Sequence, residues 1–452
     1  MADQLNYDNL SIVLLIMVLT LDHDIRFNNR NEEDNMTQHI KKIHYAWWVL
    51  LGIALIVGLA KGGIMTAGGL FLTPVTQDLG IGMGSLTLYF SISSIVTMLF
   101  LPIAGKLMSK YNIRIVLIIG IILQAGSFAM FGLMNSVWGW YLFCIPMSIG
   151  SVFVAQMAGP ILINNWFKKH NGLAMGIMVA SGGLFGAILQ PMAGNLIASN
   201  GWRYTYIFLG LLVMAIVIPT VLLTIRMSPQ QKGLQPLGIE EVKKDEKPLA
   251  ATGVKSSVAL KSSAFYWLLI FFFFVTSIGS FGQFVAPFAM NLGYNISFAG
   301  SAMGGWQIGT LVGAITFGIL TDKIGARNTA IFAMIVGLVP VVMLITVATK
   351  PAMFNIAIAI FGFIVASIGT LGPLLTTALF GNKEYGQIYS TAVIGLAIAG
   401  MVALPAYGYI AQLTGSYTSI LYAVAIMMII NVIAVIFAFK GKKKLEANGL
   451  WE

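Results

Sequence analysis

Charge is scarce in this chain. Asp, Glu, Lys and Arg make up 9% of its 452 residues, while hydrophobic types make up 58%. Soluble domains carry about 25% charged residues, so an ordinary soluble domain is excluded. Cysteine is nearly absent too. The single Cys144 rules out an intramolecular disulfide and any cysteine-based metal cluster. Carboxylates are missing from the depths of the apolar stretches: Asp78 ends the first, Asp322 lies in a loop and Glu384 begins the eleventh. None of the four histidines falls inside a stretch. No Gly-x-x-x-x-Gly-Lys-Ser/Thr loop occurs, which argues against ATP-driven chemistry within the chain. Nor is there a nucleophilic triad or a metal-ligand cluster. Neither an enzyme nor a cofactor nor a metal site is expected.

What is present is a series of long apolar runs, with a mean hydropathy of +0.86 over the whole chain. A bilayer core needs roughly 20 apolar residues in a helix. It also leaves no water for unpaired backbone groups, so each run must be helical. Twelve spans are read at 46–74, 85–105, 115–134, 138–163, 172–197, 204–225, 264–291, 298–320, 328–348, 352–379, 387–411 and 417–439. The fold class is therefore an all-α polytopic membrane protein, and the 49 glycines suit close helix packing in lipid. The net charge of +10 does not point to nucleic acid, because the basic residues flank the spans. Lys41, Lys42, Lys106, Lys110, Arg114, Lys168, Lys169, Arg226, Lys323, Arg327, Lys383, Lys440 and Lys442 to Lys444 fall on one side, against Arg203 and Lys350 on the other. That asymmetry places both termini in the cytoplasm.

The first 35 residues stand outside this plan. Ser11 to Leu21 is apolar but too short to span, and no basic segment precedes it. The reading adopted is that Met36 is the true start, residues 1–35 being a mis-assigned beginning of an N-terminal segment 1–45. The rival reading is an interfacial helix.

Residues 227–262 form a long polar stretch with Pro229, Pro236 and Pro248 and a mixed-charge run. It reads as a cytoplasmic linker. It separates an N-terminal bundle at 46–226 from a C-terminal bundle at 263–440, with a cytoplasmic tail at 441–452. Related basic loops follow the second span of each half. They run from Gly105 through Lys110 to Arg114, and from Gly318 through Asp322, Lys323 and Gly325 to Arg327. Two copies in corresponding positions imply an internal repeat, a common construction among secondary transporters.

The second loop resembles the Gly-x-x-x-Asp-(Lys/Arg)-x-Gly-x-(Arg/Lys) pattern of the major facilitator superfamily. The first is degenerate, with Ser109 for Asp and Asn112 for Gly. Trp166-Phe-Lys-Lys-His-Asn-Gly-Leu-Ala-Met-Gly176, Ser181-Gly182-Gly183, Gly201-Trp202-Arg203 and the Pro405-to-Tyr417 segment resemble the bacterial monocarboxylate permease and oxalate/formate antiporter branch. The resemblance implies two six-helix bundles, transport of a small organic anion, and basic loops that act as cytoplasmic gates.

One charge breaks the apolar pattern. Lys61 lies about 15 residues into its span, roughly 22 Å along a helix and near mid-membrane. A lysine there costs on the order of 2.5–3.5 kcal/mol on insertion scales, so it should face a cavity or a partner. It is the candidate anchor for a substrate carboxylate; the competing reading is a structural lysine paired with carbonyls or snorkelling outward. The resemblance extends a first-span lysine, found in some monocarboxylate transporters, to this position. Tyr89, Gln156, Gln283, Trp306, Gln307 and Tyr389 are further lining candidates, each equally readable as a packing residue. The branch's frequent eighth-span arginine is missing, as is the eleventh-span lysine of oxalate exchangers. One buried cation suits a monoanion.

The expected function is secondary transport of a small monocarboxylate (lactate, pyruvate or formate) across a bacterial plasma membrane, by proton symport or anion exchange. The partners are the substrate, a co-transported proton, the bilayer and no nucleic acid, with the monomer as the working unit. The alternatives are efflux of a bulkier organic anion or hydrophobic compound, and a carboxylate sensor that does not transport.

Overall fold

The computed structural model describes residues 44–168, 170–238 and 252–451. The readings placed on residues 1–35 and on the middle of the linker lie outside the described residues. Among the described residues, ten helices are long and apolar enough to cross a membrane. Two of them, of 54 and 51 residues, would be roughly 80 Å long if straight, far beyond a hydrocarbon core of about 30 Å. Each is two spans. Gly201 (φ 83°, ψ 166°) and Gly325 (φ 80°, ψ 155°) reverse the chain in a backbone region that other residues rarely enter. Twelve spans result.

They are α1 Tyr45–Leu79, α2 Met83–Lys110, α3 Ile113–Phe131 and α4 Val137–Trp166, then α5 (171–200) and α6 (202–224). The second half holds α7 Ser263–Asn291, α8 (296–324), α9 (326–346), α10 Pro351–Phe380, α11 Tyr385–Thr414 and α12 Thr418–Ala447. Helix starts carry polar caps that take up free N–H groups. Asn112 accepts from Arg114 N, Ser262 from Phe265 N and Asn295 from Phe298 N. Leu142, Leu211, Ile315 and Ile426 point outward as apolar surface, as a lipid-facing wall requires.

The linker's described ends are pinned, one to each bundle. Leu237 N donates to Trp166 O (2.8 Å) and Lys168 N to Leu237 O (2.9 Å), so the chain leaving α6 lies along the end of α4. On the other side Val254 N donates to Phe380 O and Asn382 N to Thr252 O, both 2.9 Å, at the end of α10. Spans α4 and α10 hold the same place in the two halves.

At the end opposite the basic loops, Asp78 Oδ2 accepts from Trp202 Nε1 (3.1 Å) and lies 3.5 Å from Arg203 Nη2. Arg203 also stacks on Trp202 at 4.2 Å and donates to Met134 O at 2.9 Å. This cluster ties together the ends of α1, α3 and α6. The last acidic residue of the first span thus has a structural partner.

Candidate functional site

The two bundles meet along two antiparallel helix pairs. In the α2–α11 pair, Gly84 N donates to Gln412 Oε1 (3.1 Å), Thr87 lies against Gly408, Ser91 Oγ donates to Met401 O and Ser94 lies against Gly400. In the α5–α8 pair, Gly194 faces Gly300, Pro191 faces Gly304, and Gly183 faces Gln307 and Leu311. Continuing the second register toward the basic loops would oppose Gly176 to Gly318. Both instead face open space. Along α2, Met98, Leu99, Leu101 and Ile103 are likewise exposed beyond Ser94. The pairs are therefore closed at the end bearing Arg203 and diverge toward the end bearing the basic loops.

Lys61 sits at the apex of that opening, at the middle of the 35-residue α1. Protein surrounds it at this depth, yet its side chain is solvent-accessible. That combination describes a side chain projecting into an internal cavity, and it excludes a lysine folded into a closed core. Its aliphatic stem runs along α5, where Gly182 leaves it room: a methyl there would stand 3.5 Å from Lys61 Cδ. One residue on, a methyl at Gly62 would overlap the Gly182 carbonyl and lie 2.5 Å from Gly186 N. The glycines let α1 and α5 touch backbone to backbone, which fixes the height of Lys61.

The winding of α1 is unusual at this point. Residues Leu59–Met65 form a π-helix, in which Thr66 N reaches back five residues to Lys61 O at 3.1 Å. Such turns recur at functional sites. Here the turn presents Lys61 and Met65 together to the cavity. Met65 is 41% exposed, although Ser151 of α4 donates to its Sδ (3.4 Å) and Gln283 of α7 to its carbonyl (3.3 Å).

The other candidates divide. Gln283 and Tyr89 both adjoin Gly68, one turn past Met65, and so lie beside the site. Gln307 packs on Gly183 and Gly186, the stretch of α5 along which the Lys61 stem runs. Trp306 is buried, stacked on Phe361 at 5.1 Å and against Gly282. Gln156 is exposed within a further π-helix, Val152–Met157 of α4. Tyr389 is not brought to Lys61; it packs between Tyr385 and Phe272 at 5.4 and 6.2 Å. Two glutamines that the sequence does not single out, Gln124 of α3 and Gln190 of α5, bond directly to the π-helix of α1 and to Thr66 at its end. In sequence each is only a polar residue in an apolar run.

Of the gating candidates, Lys110 and Arg114 line a cavity of about 540 Å³ with Arg226, and Arg114 Nε donates to Ile225 O at the end of α6 (2.8 Å). Gly105 lies beside Met157. Gly318 faces open space, and Gly325 is the α8–α9 reversal. Asp322 and Lys323 are exposed with no ion-pair partner among the described residues, and Arg327 lies over Phe439 at 5.9 Å.

The family model for the Major Facilitator Superfamily matches residues 50–304 and 284–450. The chain belongs to this superfamily. It is thus a membrane transporter rather than an enzyme, and a multi-pass one. Among its relatives are the oxalate:formate antiporter of Oxalobacter formigenes, 22% identical over 78% of this chain and 83% of that one, and monocarboxylate transporter 12 of Homo sapiens, 23% identical over 77% and 72%. The MFS transporter asaE of Aspergillus flavus is 25% identical over 82% and 81%. The first two belong with the branch that the Trp166–Gly176 and Pro405–Tyr417 segments resemble. A solved bacterial homologue of the human lysosomal transporter Spinster has the same fold. Its TM-score is 0.68 at 17% identity, covering 88% of this chain and 97% of that one.

Proposed function

We propose that this superfamily member carries a small monocarboxylate of the lactate, pyruvate or formate type across a bacterial plasma membrane. The observation that carries the reading is Lys61, a cation at mid-bilayer depth that is open to a cavity between the bundles. A buried cation open to an aqueous route attracts an anion strongly, because little solvent screens the pair. With no second charge deep in a span, the site balances one negative charge rather than two. The oxalate:formate and monocarboxylate relatives support the substrate class.

The working cycle is alternating access between bundles at 46–226 and 263–440, joined by the linker 227–262. With the basic loops in the cytoplasm, the described state is open inward. Closing the α5–α8 and α2–α11 pairs at the basic end, while opening them at the other, would carry Lys61 and its ligand across. The loops containing Gly105–Arg114 and Gly318–Arg327 would then engage as gates. Either a proton or a second anion balances the movement, and one chain suffices.

The test is exchange of labelled lactate, pyruvate, formate and oxalate in proteoliposomes, comparing wild type with Lys61→Ala and Lys61→Arg. Monocarboxylate uptake that Lys61→Ala abolishes is expected. Full uptake by Lys61→Ala would remove the anchor. Transport of no acid by wild type would shift the reading to efflux of a bulkier compound.

A further inference from the structure

Around Lys61 three consecutive backbone carbonyls are held from outside or below the turn. Ala60 O accepts from Gln124 Nε2 at 3.1 Å. Lys61 O accepts from Thr66 N at 3.1 Å, the five-residue step that defines the winding. Gly62 O accepts from Thr66 Oγ1 at 2.8 Å, and that hydroxyl is itself bonded by Gln190 Nε2 at 2.8 Å. The two glutamines come from different helices, α3 and α5, and grip the turn on either side of the lysine.

Both are completely buried, and in both the amide oxygen has no partner among the described residues. A buried acceptor left unpaired opposes folding. Such groups call for an explanation beyond packing, since natural interiors pair nearly all of them. A leucine of similar size would fill either space without that penalty. What leucine cannot do is hold the carbonyls of a π-helix in place.

The winding matters because it sets direction. An α-helix turns 100° per residue, so removing the one-residue excess of the π-helix would rotate Lys61 relative to everything after it. We infer that Gln124 and Gln190 are positioning residues, which lock the π-helix of α1 and thereby aim Lys61 into the cavity. The consequence for transport rests on the reading of Lys61 as the anion anchor; the consequence for geometry does not.

Two measurements separate these. In the first, lactate uptake is followed against concentration for wild type, Gln124→Leu, Gln190→Leu and Thr66→Val in proteoliposomes. The expected result is a KM raised about fivefold to tenfold, the weight of one buried hydrogen bond, with the maximal rate within about twofold of wild type. In the second, Lys61→Cys is placed in a Cys144→Ala background, which removes the native thiol. Its labelling by a negatively charged methanethiosulfonate is timed with and without each substitution, in the absence of substrate. Rotation of position 61 away from the cavity should slow labelling about tenfold.

Unchanged labelling in variants that run as single species on size exclusion would overturn the inference, even if KM moved, because affinity would then respond to something other than aim. Slowed labelling of Lys61→Cys, together with no lactate uptake by the wild-type protein, would uphold the inference and discard the transport reading. Thr66→Val, which loses only a hydroxyl, carries the test should the glutamine variants fail to give a single species.

Discussion

Gly182 leaves the space that Lys61 occupies: a methyl group on it would stand 3.5 Å from the lysine Cδ, an ordinary van der Waals separation. Gly182→Ala should therefore keep uptake within about twofold, while Gly182→Leu, which reaches past that distance, should displace the stem and raise KM about tenfold, near 1.4 kcal/mol of binding. Gly62 differs, because its added methyl meets the α5 backbone, which cannot move aside as a side chain can. Gly62→Ala should destabilise the protein by about 1–3 kcal/mol, read as a lower melting temperature in detergent. Equal tolerance of Gly182→Leu and Gly182→Ala would mean that the stem does not use this groove.

Met65 shares the cavity face with Lys61, so a carboxylate held by the lysine would lay its organic portion against a thioether. Formate has no such portion. Met65→Ala should therefore raise KM for lactate several-fold, in keeping with the ~0.8 kcal/mol that burying one CH₂ contributes, and leave formate unchanged. Competition assays on the same liposomes would show it. Equal effects on both acids would place Met65 in the structure rather than in selectivity.

The architecture is largely legible in the sequence, because hydrocarbon thickness dictates span length and because a lone lysine in an apolar run is conspicuous. Boundaries are less so. The apolar run predicts a first span ending at residue 74, but α1 continues through Pro74 to Leu79, where Gly80 at φ 63° ends it. The α5–α6 and α8–α9 reversals need no loop, since Gly201 and Gly325 turn the chain within a residue. The site is legible only in part. Nothing in Leu59–Met65 announces a π-helix, whose extra residue is stabilised by Gln124 and Gln190 from elsewhere in the chain. Such partnerships are tertiary. Tyr389 shows the converse: its place in an apolar span fits a lining residue, but neighbouring rings of Phe272 and Tyr385 claim it.

The pinning of the linker to α11 should depend on pH. Hydrogen bonds from Ser256, through its hydroxyl and then through its backbone N–H at 2.7 Å, hold the Glu384 carboxyl below its ordinary value of 4.5. A carboxylate whose folded value is depressed contributes stability that is fully present above 4.5 and lost as the pH falls through the folded value. Wild type should therefore melt above Glu384→Gln at pH 7. The two should converge as the pH is taken below 4.5. A difference that persists or grows in acid would show that Glu384 acts through something other than its charge.

Helix register gives the strictest test of how the bundles move. Gly194 and Gly300 touch, whereas Gly176 and Gly318, in the same register of α5 and α8 but nearer the basic loops, face open space. In a Cys144→Ala background, a Gly194→Cys/Gly300→Cys pair should form a disulfide in the resting protein once the two helices give slightly, since each added Cβ would stand 2.8 Å from a carbonyl of the facing helix and bridged Cα atoms need only lie within about 7 Å. A Gly176→Cys/Gly318→Cys pair should cross-link slowly at rest and faster during lactate exchange, as the basic end closes. Each cross-link should stop transport, and reduction should restore it, since either bond traps one of the two states that alternating access must visit. Rapid cross-linking of both pairs at rest would show that the bundles do not diverge at the basic end. Transport that continues through a complete Gly194–Gly300 bridge would rule out rocking about α5 and α8.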